Sequence, residues 1–336
     1  MAKKILFIYT NFSTFVKTDF EILSEEHNVK RYQFKPVKGL LKTAIKMIRQ
    51  LVFLLLNIWK FDTVYIWFAD YHSFLPVLFA KLTGKKSFLV IGGYDVVKMP
   101  KLNYGVFTSK FRGFCAIYTM NHSTLNLAVS KNVERKVRWI APESNVKLVY
   151  NCVNISDEKE INPEKEDLVL TVAFIDSERT FYLKGIDTFI EVAKLLPEIK
   201  FMIIGLDKTM TGQILKNLPK NLELIGSVNH SELQNYYKKA KIYCQFSRSE
   251  SFGVAVVEAM YFGCIPVVTN VGGLPELIGK TGRIVKRIPE TISSQISEVV
   301  LDYSGLIIEK DTQFWPFSVQ QRKKKLETVL NQFFKD

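Results

Sequence analysis

Short continuous apolar runs alternate with longer amphipathic stretches along almost the whole chain, and this alternation restricts the fold more than any other feature. In the first half the apolar runs fall at 3–9, 28–33, 63–68, 86–91, 126–129 and 146–150, with helical patterns at 14–25, 38–58, 73–83 and 131–139. The runs are unbroken Ile, Leu, Val and Phe rather than apolar–polar alternations. Strands of that kind belong in parallel sheets covered on both faces by helices. Residues 155–167, rich in charge and containing Pro163, interrupt the pattern and read as a surface linker. The alternation then restarts. Strands are predicted at 168–175, 200–204, 221–225, 241–245, 265–268 and 282–285, and helices at 185–196, 210–217, 230–239, 252–262, 273–278, 290–301 and 318–333. Two α/β domains follow, each a doubly wound Rossmann-like sheet, facing one another across a cleft. A length of 336 residues agrees with two domains.

The net charge of +13 is unevenly placed. Residues 1–154 carry 23 Lys and Arg against 9 Asp and Glu, a net +14, whereas residues 155–336 carry 23 against 24. An anionic partner is implied for the first half: nucleic acid, a membrane surface or a phosphate-bearing substrate. The basic stretch 38–50 places Lys38, Lys42, Lys46 and Arg49 at i, i+4, i+8 and i+11, with Leu41, Ile45 and Ile48 opposite. Two readings fit it: a helix packed on the sheet with a solvated basic edge, or a helix lying against anionic lipid. The apolar run at 51–59 is far short of the roughly 20 residues that span a bilayer. The start of the chain reads as a first strand rather than a signal peptide. The four cysteines, Cys115, Cys152, Cys244 and Cys264, form no C-x-x-C pair and fit a reducing compartment.

Ligands of doubly wound sheets bind beyond the carboxyl ends of the strands, so loops after the second-half strands are where chemistry is sought. The densest signal runs from Ser247 to Met260. Glu250 lies in a Ser-rich loop after a strand, Gly253 opens a helix, and Glu258 lies eight residues on within that helix. Gly253 lets backbone approach a ligand closely, and the helix start favours an anion. Glu250 could accept hydrogen bonds from sugar hydroxyls and Glu258 could reach a cis-diol. Both could equally be a solvated and an ion-paired side chain. A second signal is Arg179 and Lys184, between a strand and a helix, with Gly185 permitting the turn. Two cations there could neutralise a diphosphate. The stretch from Gly273 to Thr281 is no phosphate-binding P-loop, since it has five residues between the glycines where four are needed and leads into a strand. G-x-G-x-x-G, H-E-x-x-H and D-x-D are all absent.

Residues 247–279 resemble glycosyltransferase family 4, the retaining nucleotide-sugar transferases of GT-B architecture, and the resemblance covers nearly all of the second half. It implies that Glu250 contacts the transferred sugar and Glu258 the nucleotide ribose. The segment around Gly253, with Ser251, Phe252 and Val254, would serve sugar or phosphates, and Val228 in Gly226-Ser227-Val228 would lie near the base. Lys184, with Arg179 five residues before it, matches the family's Arg and Lys-Gly pattern. The family needs no cofactor and no metal, using protein cations and helix dipoles. In the first half, Gly93 and Asp95 match its His-Gly-x-Asp segment, with Gly92 at the histidine position. Asp95 would share the sugar contact or cap a turn. Ser13 and Thr14 follow the first strand as acceptor-side candidates, and His72 is either a third or a structural histidine at a helix start. The implied activity is transfer of a sugar from a UDP- or GDP-sugar to a lipid-linked or glycan acceptor. The chain would be cytoplasmic and peripheral on the inner face of the membrane, with no nucleic acid bound. The domains would be 1–154 on the acceptor side and 155–317 on the donor side, with the helix at 318–333 crossing back to the first. A nucleotide-sugar epimerase of the same fold, or a non-catalytic membrane or nucleic-acid adaptor, are the alternatives.

Overall fold

A computed structural model describes residues 2–154, 165–207, 210, 217–303 and 315–334. The chain forms two compact units: residues 1–152 together with 319–336, and residues 153–318. The first unit therefore ends at 152, two residues before the boundary drawn from the sequence. It also includes the last helix.

The first unit is a six-stranded parallel sheet in the order β2-β1-β3-β4-β5-β6, made of β1 (Lys4–Tyr9), β2 (Asn28–Gln33), β3 (Thr63–Trp67), β4 (Lys86–Ile91), β5 (Leu125–Ala128) and β6 (Val146–Leu148). Its helices are α1 (Thr14–Glu26), α2 (Leu40–Asn57), α3 (Tyr71–Leu82), α4 (Lys110–His122) and α5 (Lys131–Ile140). The central strands β1, β3 and β4 are buried on both faces, as their continuous apolar runs require. Phe7 and Tyr65, register partners on β1 and β3, stack at 5.4 Å. The second unit repeats the plan in the order β12-β11-β10-β7-β8-β9, with β7 (Glu166–Ile175), β8 (Lys200–Leu206), β9 (Leu222–Ile225), β10 (Ala240–Gln245), β11 (Ile265–Thr269) and β12 (Arg283–Val285). Around it run α6 (Glu178–Lys184), α7 (Ile186–Leu195), α8 (His230–Lys239), α9 (Val254–Tyr261), α10 (Leu274–Ile278) and α11 (Pro289–Leu301). Helix α12 (Val319–Phe334) returns to the first unit.

Two helices escape the sequence pattern. The buried side of α4 is Gly113, Ala116, Thr119 and Cys115 with Met120, too small and polar to give an apolar period. Its Gly113 lets the helix close on Phe107, whose ring lies 3.1 Å from where a Cβ would be. Helix α6 occupies a segment read as a loop. The linker predicted at 155–167 lies mostly outside the described residues, and β7 already begins at Glu166. Most of the helix predicted at 210–217 also lies outside them.

One buried ion pair fixes α12. Arg322 forks onto Asp19 of α1, Nε to Oδ1 at 2.5 Å and Nη2 to Oδ2 at 2.7 Å, with side-chain exposures of 1% and 0%. Asp19 also accepts from the Tyr65 hydroxyl at 2.7 Å. Arg322 Nη1 donates to the carbonyls of Val149 and Tyr150, and β6 ends at Leu148, short of the predicted residue 150. Burial first, and then the Asp19 charge, push the Tyr65 phenol well above its ordinary value. Every polar atom of the cluster is matched, the condition under which a buried charge is tolerated.

Asp19→Leu strands the Arg322 charge in the interior and is expected to cost about 3–5 kcal/mol, whereas Asp19→Leu with Arg322→Met recovers most of it. Urea unfolding of the two proteins checks this, and an Asp19→Leu midpoint equal to wild type would refute it.

Candidate active site

In each sheet the strand order reverses at one place. In the second unit the chain runs from β7 outward through β8 and β9, then returns to the other side of β7 as β10. Loops leaving β7 and β10 therefore diverge over opposite faces, opening a crevice at their carboxyl ends. Lys184 follows β7 and Glu250 follows β10. The structure joins them: Lys184 Nζ donates to Glu250 Oε2 at 2.8 Å, with both side chains partly exposed.

Local backbone holds each partner in place. Lys184 ends α6, and Gly185 (φ 72°) caps it in the left-handed conformation. A Cβ on Gly185 would lie 2.0 Å from the Phe246 carbonyl oxygen, so this turn must be glycine to lie against the end of β10. The Arg248 N–H then donates to the Leu183 carbonyl at 2.8 Å. Arg248 itself forks onto Asp187 at 2.8 and 2.5 Å and also donates to the Tyr182 carbonyl, tying the Ser-rich loop to α6 and α7. The other Glu250 oxygen accepts the Ser251 N–H at 3.2 Å. On the far side the loop after β11 presses on this one: a Cβ on Gly272 (φ 59°) would fall 1.4 Å from the Glu250 carbonyl oxygen.

Gly253 (φ 105°) starts α9, and a Cβ there would lie 2.8 Å from Leu274. The first N–H groups of a helix have no intrahelical acceptor, so this end carries partial positive charge. Glu258 is buried in α9. Its Oε1 lies 3.1 Å from His230 Nε2 and its Oε2 accepts from the Tyr237 hydroxyl at 3.4 Å. His230 begins α8, directly after the loop that holds Val228, which is half-buried. The hydrogen bond to Glu258 raises the His230 pKa above 6.5, with burial opposing. Among the described residues no cluster of three His, Cys, Asp or Glu is gathered within metal-binding reach.

Other predicted positions lie elsewhere. Arg179 sits exposed on α6, and five residues at 100° each turn it about 140° away from Lys184, so the two do not share a face. Phe252 is buried edge-on against Phe317 at 5.4 Å, so its ring belongs to the core and not to a binding surface. Ser251 and Val254 are half-buried beside Glu250 and the start of α9.

The first unit reverses between β1 and β3. Ser13 and Thr14, at the start of α1, and Phe68, just after β3, occupy the loops there. Asp95 is fully buried and accepts N–H groups from Ala69, Gly92 and Gly93 at 3.1, 3.2 and 2.7 Å. Burial pushes its carboxyl up to about 7, against these N–H groups, which pull it down. It is a turn cap with no face left for a sugar. Gly93 (φ 107°) supplies the backbone angle this turn needs. His72 is buried too, with Nε2 bonded to the Trp67 carbonyl at 3.0 Å, and burial lowers its pKa, so it is a neutral structural histidine. Gly92 has no room for a side chain: the Phe68 ring lies 2.2 Å from where its Cβ would be. Phe68 itself holds a φ of 71°, strained for a bulky residue, at the carboxyl end of β3. Sequence reading also missed Arg112, which forks onto Asp70 (Nε to Oδ1 3.0 Å, Nη2 to Oδ2 2.5 Å) and donates to Tyr94 Oη at 3.1 Å. The only signal for Phe68, Arg112, Arg248 or His230 was their position in loops after strands or at helix starts.

Residues 153–314, almost the extent of the second unit, match the family model described as glycosyl transferases group 1. The chain is 27% identical over 246 residues to an uncharacterized 41.2 kDa protein in the cps region of Klebsiella pneumoniae, covering 67% of this chain and 65% of that one. It is 26% identical over 189 residues to the phosphatidylinositol N-acetylglucosaminyltransferase gpi3 subunit of Schizosaccharomyces pombe, covering 52% of this chain and 40% of that one. These matches thus span about 40–65% of the relatives' own lengths. Among solved structures, sucrose-phosphate synthase from Thermosynechococcus elongatus superposes with a TM-score of 0.77 at 14% identity over 99% of both chains. HepE of Anabaena, in complex with UDP and glucose, gives 0.73 at 16% identity over 98% of this chain and 100% of that one. The shared fold is GT-B.

The His230–Glu258 bond makes a pH prediction. A histidine pKa raised on folding contributes stability that is fully present below about pH 6.5 and lost as pH rises through the higher folded value. The Tm difference between wild type and His230→Gln is therefore expected to be larger at pH 6 than at pH 8.5. Equal differences in thermal unfolding at the two pH values would contradict it.

Proposed function

From the match of residues 153–314 to the model of the group 1 glycosyl transferases, we propose that this protein is a retaining, metal-independent hexosyltransferase of family 4. It moves a sugar from a nucleoside-diphosphate sugar to a lipid-linked or glycan acceptor, without a cofactor, in synthesis of cell-surface polysaccharide or glycolipid. The observation that carries the reading is the Lys184–Glu250 pair, held at 2.8 Å between the end of α6 and the loop after β10, in the two connections that flank the reversal point.

A doubly charged diphosphate competes with a single carboxylate for Lys184, so donor binding draws the ammonium onto phosphate and frees Glu250 to accept from sugar hydroxyls. The start of α9 adds fixed positive charge where the leaving group gathers negative charge. Glu258, oriented by His230 and Tyr237, accepts from the ribose diol, and Val228 borders the base. The bond from the anomeric carbon to the phosphate oxygen breaks and that carbon bonds to the acceptor oxygen. The acceptor's proton passes to the departing phosphate, so no protein base is assigned. Arg179 has no place in this scheme. Ser13 and Thr14 lie on the acceptor side. That HepE is described with UDP and glucose supports a UDP-sugar, and the relatedness to a phosphatidylinositol N-acetylglucosaminyltransferase subunit supports a lipid-borne acceptor.

A thermal-shift panel of UDP, GDP, ADP, CMP and their sugars tests the donor. A ligand at 100 times its Kd stabilises by about 2.7 kcal/mol, which reads as a clear rise in midpoint. A flat response to all of them overturns the proposal, and turnover of the sugar nucleotide without acceptor identifies an epimerase instead.

Lys184→Ala and Glu250→Ala are each expected to lower the transfer rate about 100-fold or more while leaving Tm within a few degrees. Wild-type rates in either variant would remove that residue from the chemistry.

A further inference from the structure

Helix α2 carries its apolar residues on the wrong side for a core helix. The face turned to the sheet holds Gln50 and Leu54, with Thr43 and Met47 half-buried. Gln50 spends its amide on the His72 carbonyl at 2.9 Å. The face turned to solvent is Leu41, Ile45, Ile48, Val52 and Leu55, at i, i+4, i+7, i+11 and i+14, which is one continuous stripe, and Trp59 in the turn just after the helix is exposed as well. These side chains are between 43% and 75% exposed. Leu41, Ile45 and Ile48 therefore do not pack on the sheet. Lys42 and Arg49 lie along one flank of the stripe, about a quarter turn away, and Lys38 lies just before the helix. Monomers rarely expose contiguous apolar surface of this extent without a partner.

The same layer extends the surface. Helix α2 packs on α3 and α3 on α4, and Phe74 of α3 meets Phe114 of α4 at 6.3 Å. Phe111 and Phe114 of α4 are more than half exposed. All three helices enter from the carboxyl ends of their strands, so the first turns of α2 and α4 lie at the end of the sheet where the β1/β3 loops open. Among the described residues no helix is long and apolar enough to cross a membrane, so α2 would lie flat on one.

We propose that the outward face of α2 docks the protein onto an anionic lipid bilayer, the apolar stripe entering the acyl boundary and the basic flank meeting the headgroups. Charge selects this occupant. A second copy packed with its α2 antiparallel on the stripe would bring two rows of Lys and Arg to the same side, whereas an anionic leaflet complements the row and the +14 of the first 154 residues. Docking needs no nucleotide sugar, so its failure and the failure of the glycosyl-transfer reading are separate results.

Flotation of the full-length chain with vesicles of phosphatidylcholine alone, or with 30% phosphatidylglycerol, is the test. Binding is expected to the anionic vesicles, weakening steeply with salt. Lys42→Gln with Arg49→Gln is expected to weaken it about fivefold for each cation removed. Ile48→Glu with Val52→Glu, both solvent-facing, is expected to weaken it about tenfold or more with an unchanged circular dichroism spectrum. Equal binding to neutral and anionic vesicles overturns the proposal. So does binding that survives Ile48→Glu with Val52→Glu. A concentration-dependent dimer abolished by that variant, with no vesicle binding by wild type, also overturns it and assigns the face to a second copy.

Discussion

A parallel strand buried on both faces must be followed by a helix that crosses back over the sheet, and the crossover has one hand. From this constraint the rest of the molecule follows. A sheet that grows first to one side of its starting strand and then to the other sends successive helices over opposite faces, so two neighbouring loops part. In the second unit they are the connections after β7 and β10, which carry Lys184 at the end of α6 and Glu250 in a loop. The loop after β11 braces this arrangement through Gly272, which no larger residue could replace without displacing the Glu250 backbone. The position of the ion pair is thus a property of strand order, and its precision is a property of two glycines, Gly185 and Gly272, that let backbones touch.

The buried polar groups divide by what surrounds them. Asp19, Arg322 and Tyr65 satisfy one another and two carbonyls, leaving nothing for a ligand. Asp95 spends its oxygens on backbone N–H groups. Glu258 has fewer and longer bonds, to a half-exposed histidine and a tyrosine. Lys184 and Glu250 have only each other and the Ser251 N–H among the hydrogen bonds described. A carboxylate whose lone pairs are already filled is a structural part. One held in place with lone pairs to spare can bind. That difference separates Asp95 and His72, which the sequence left open between a ligand contact and a structural role, from Glu250 and Glu258.

Most strands were legible because the parallel core demands unbroken apolar runs, and β1, β2 and β4 fall within a residue of where those runs lie. Helix α4 was not, because its buried side is Gly, Ala and Thr against an aromatic ring, and small residues leave no periodic trace. The start of α6 was read as loop, since Ser177, its N-cap, and the charged residues after it look the same in either state. The apolar period of α2 was visible, but not its direction. Period shows that a helix has a greasy side, and only packing shows which way that side faces.

By itself the sequence determined two doubly wound units, a loop-borne glutamate before a glycine-opened helix, and a basic first half. Those features are local: residue type, spacing and charge specify them without reference to anything distant in the chain. Tertiary structure alone decided that Lys184 meets Glu250 across 66 positions, and that Arg248 and His230 support the pair and Glu258. It also decided that Asp95 and His72 are sealed inside and that α2 turns its apolar stripe outward. Each depends on which groups from remote segments fill the surrounding volume, and burial is set by neighbours that no single stretch of sequence contains.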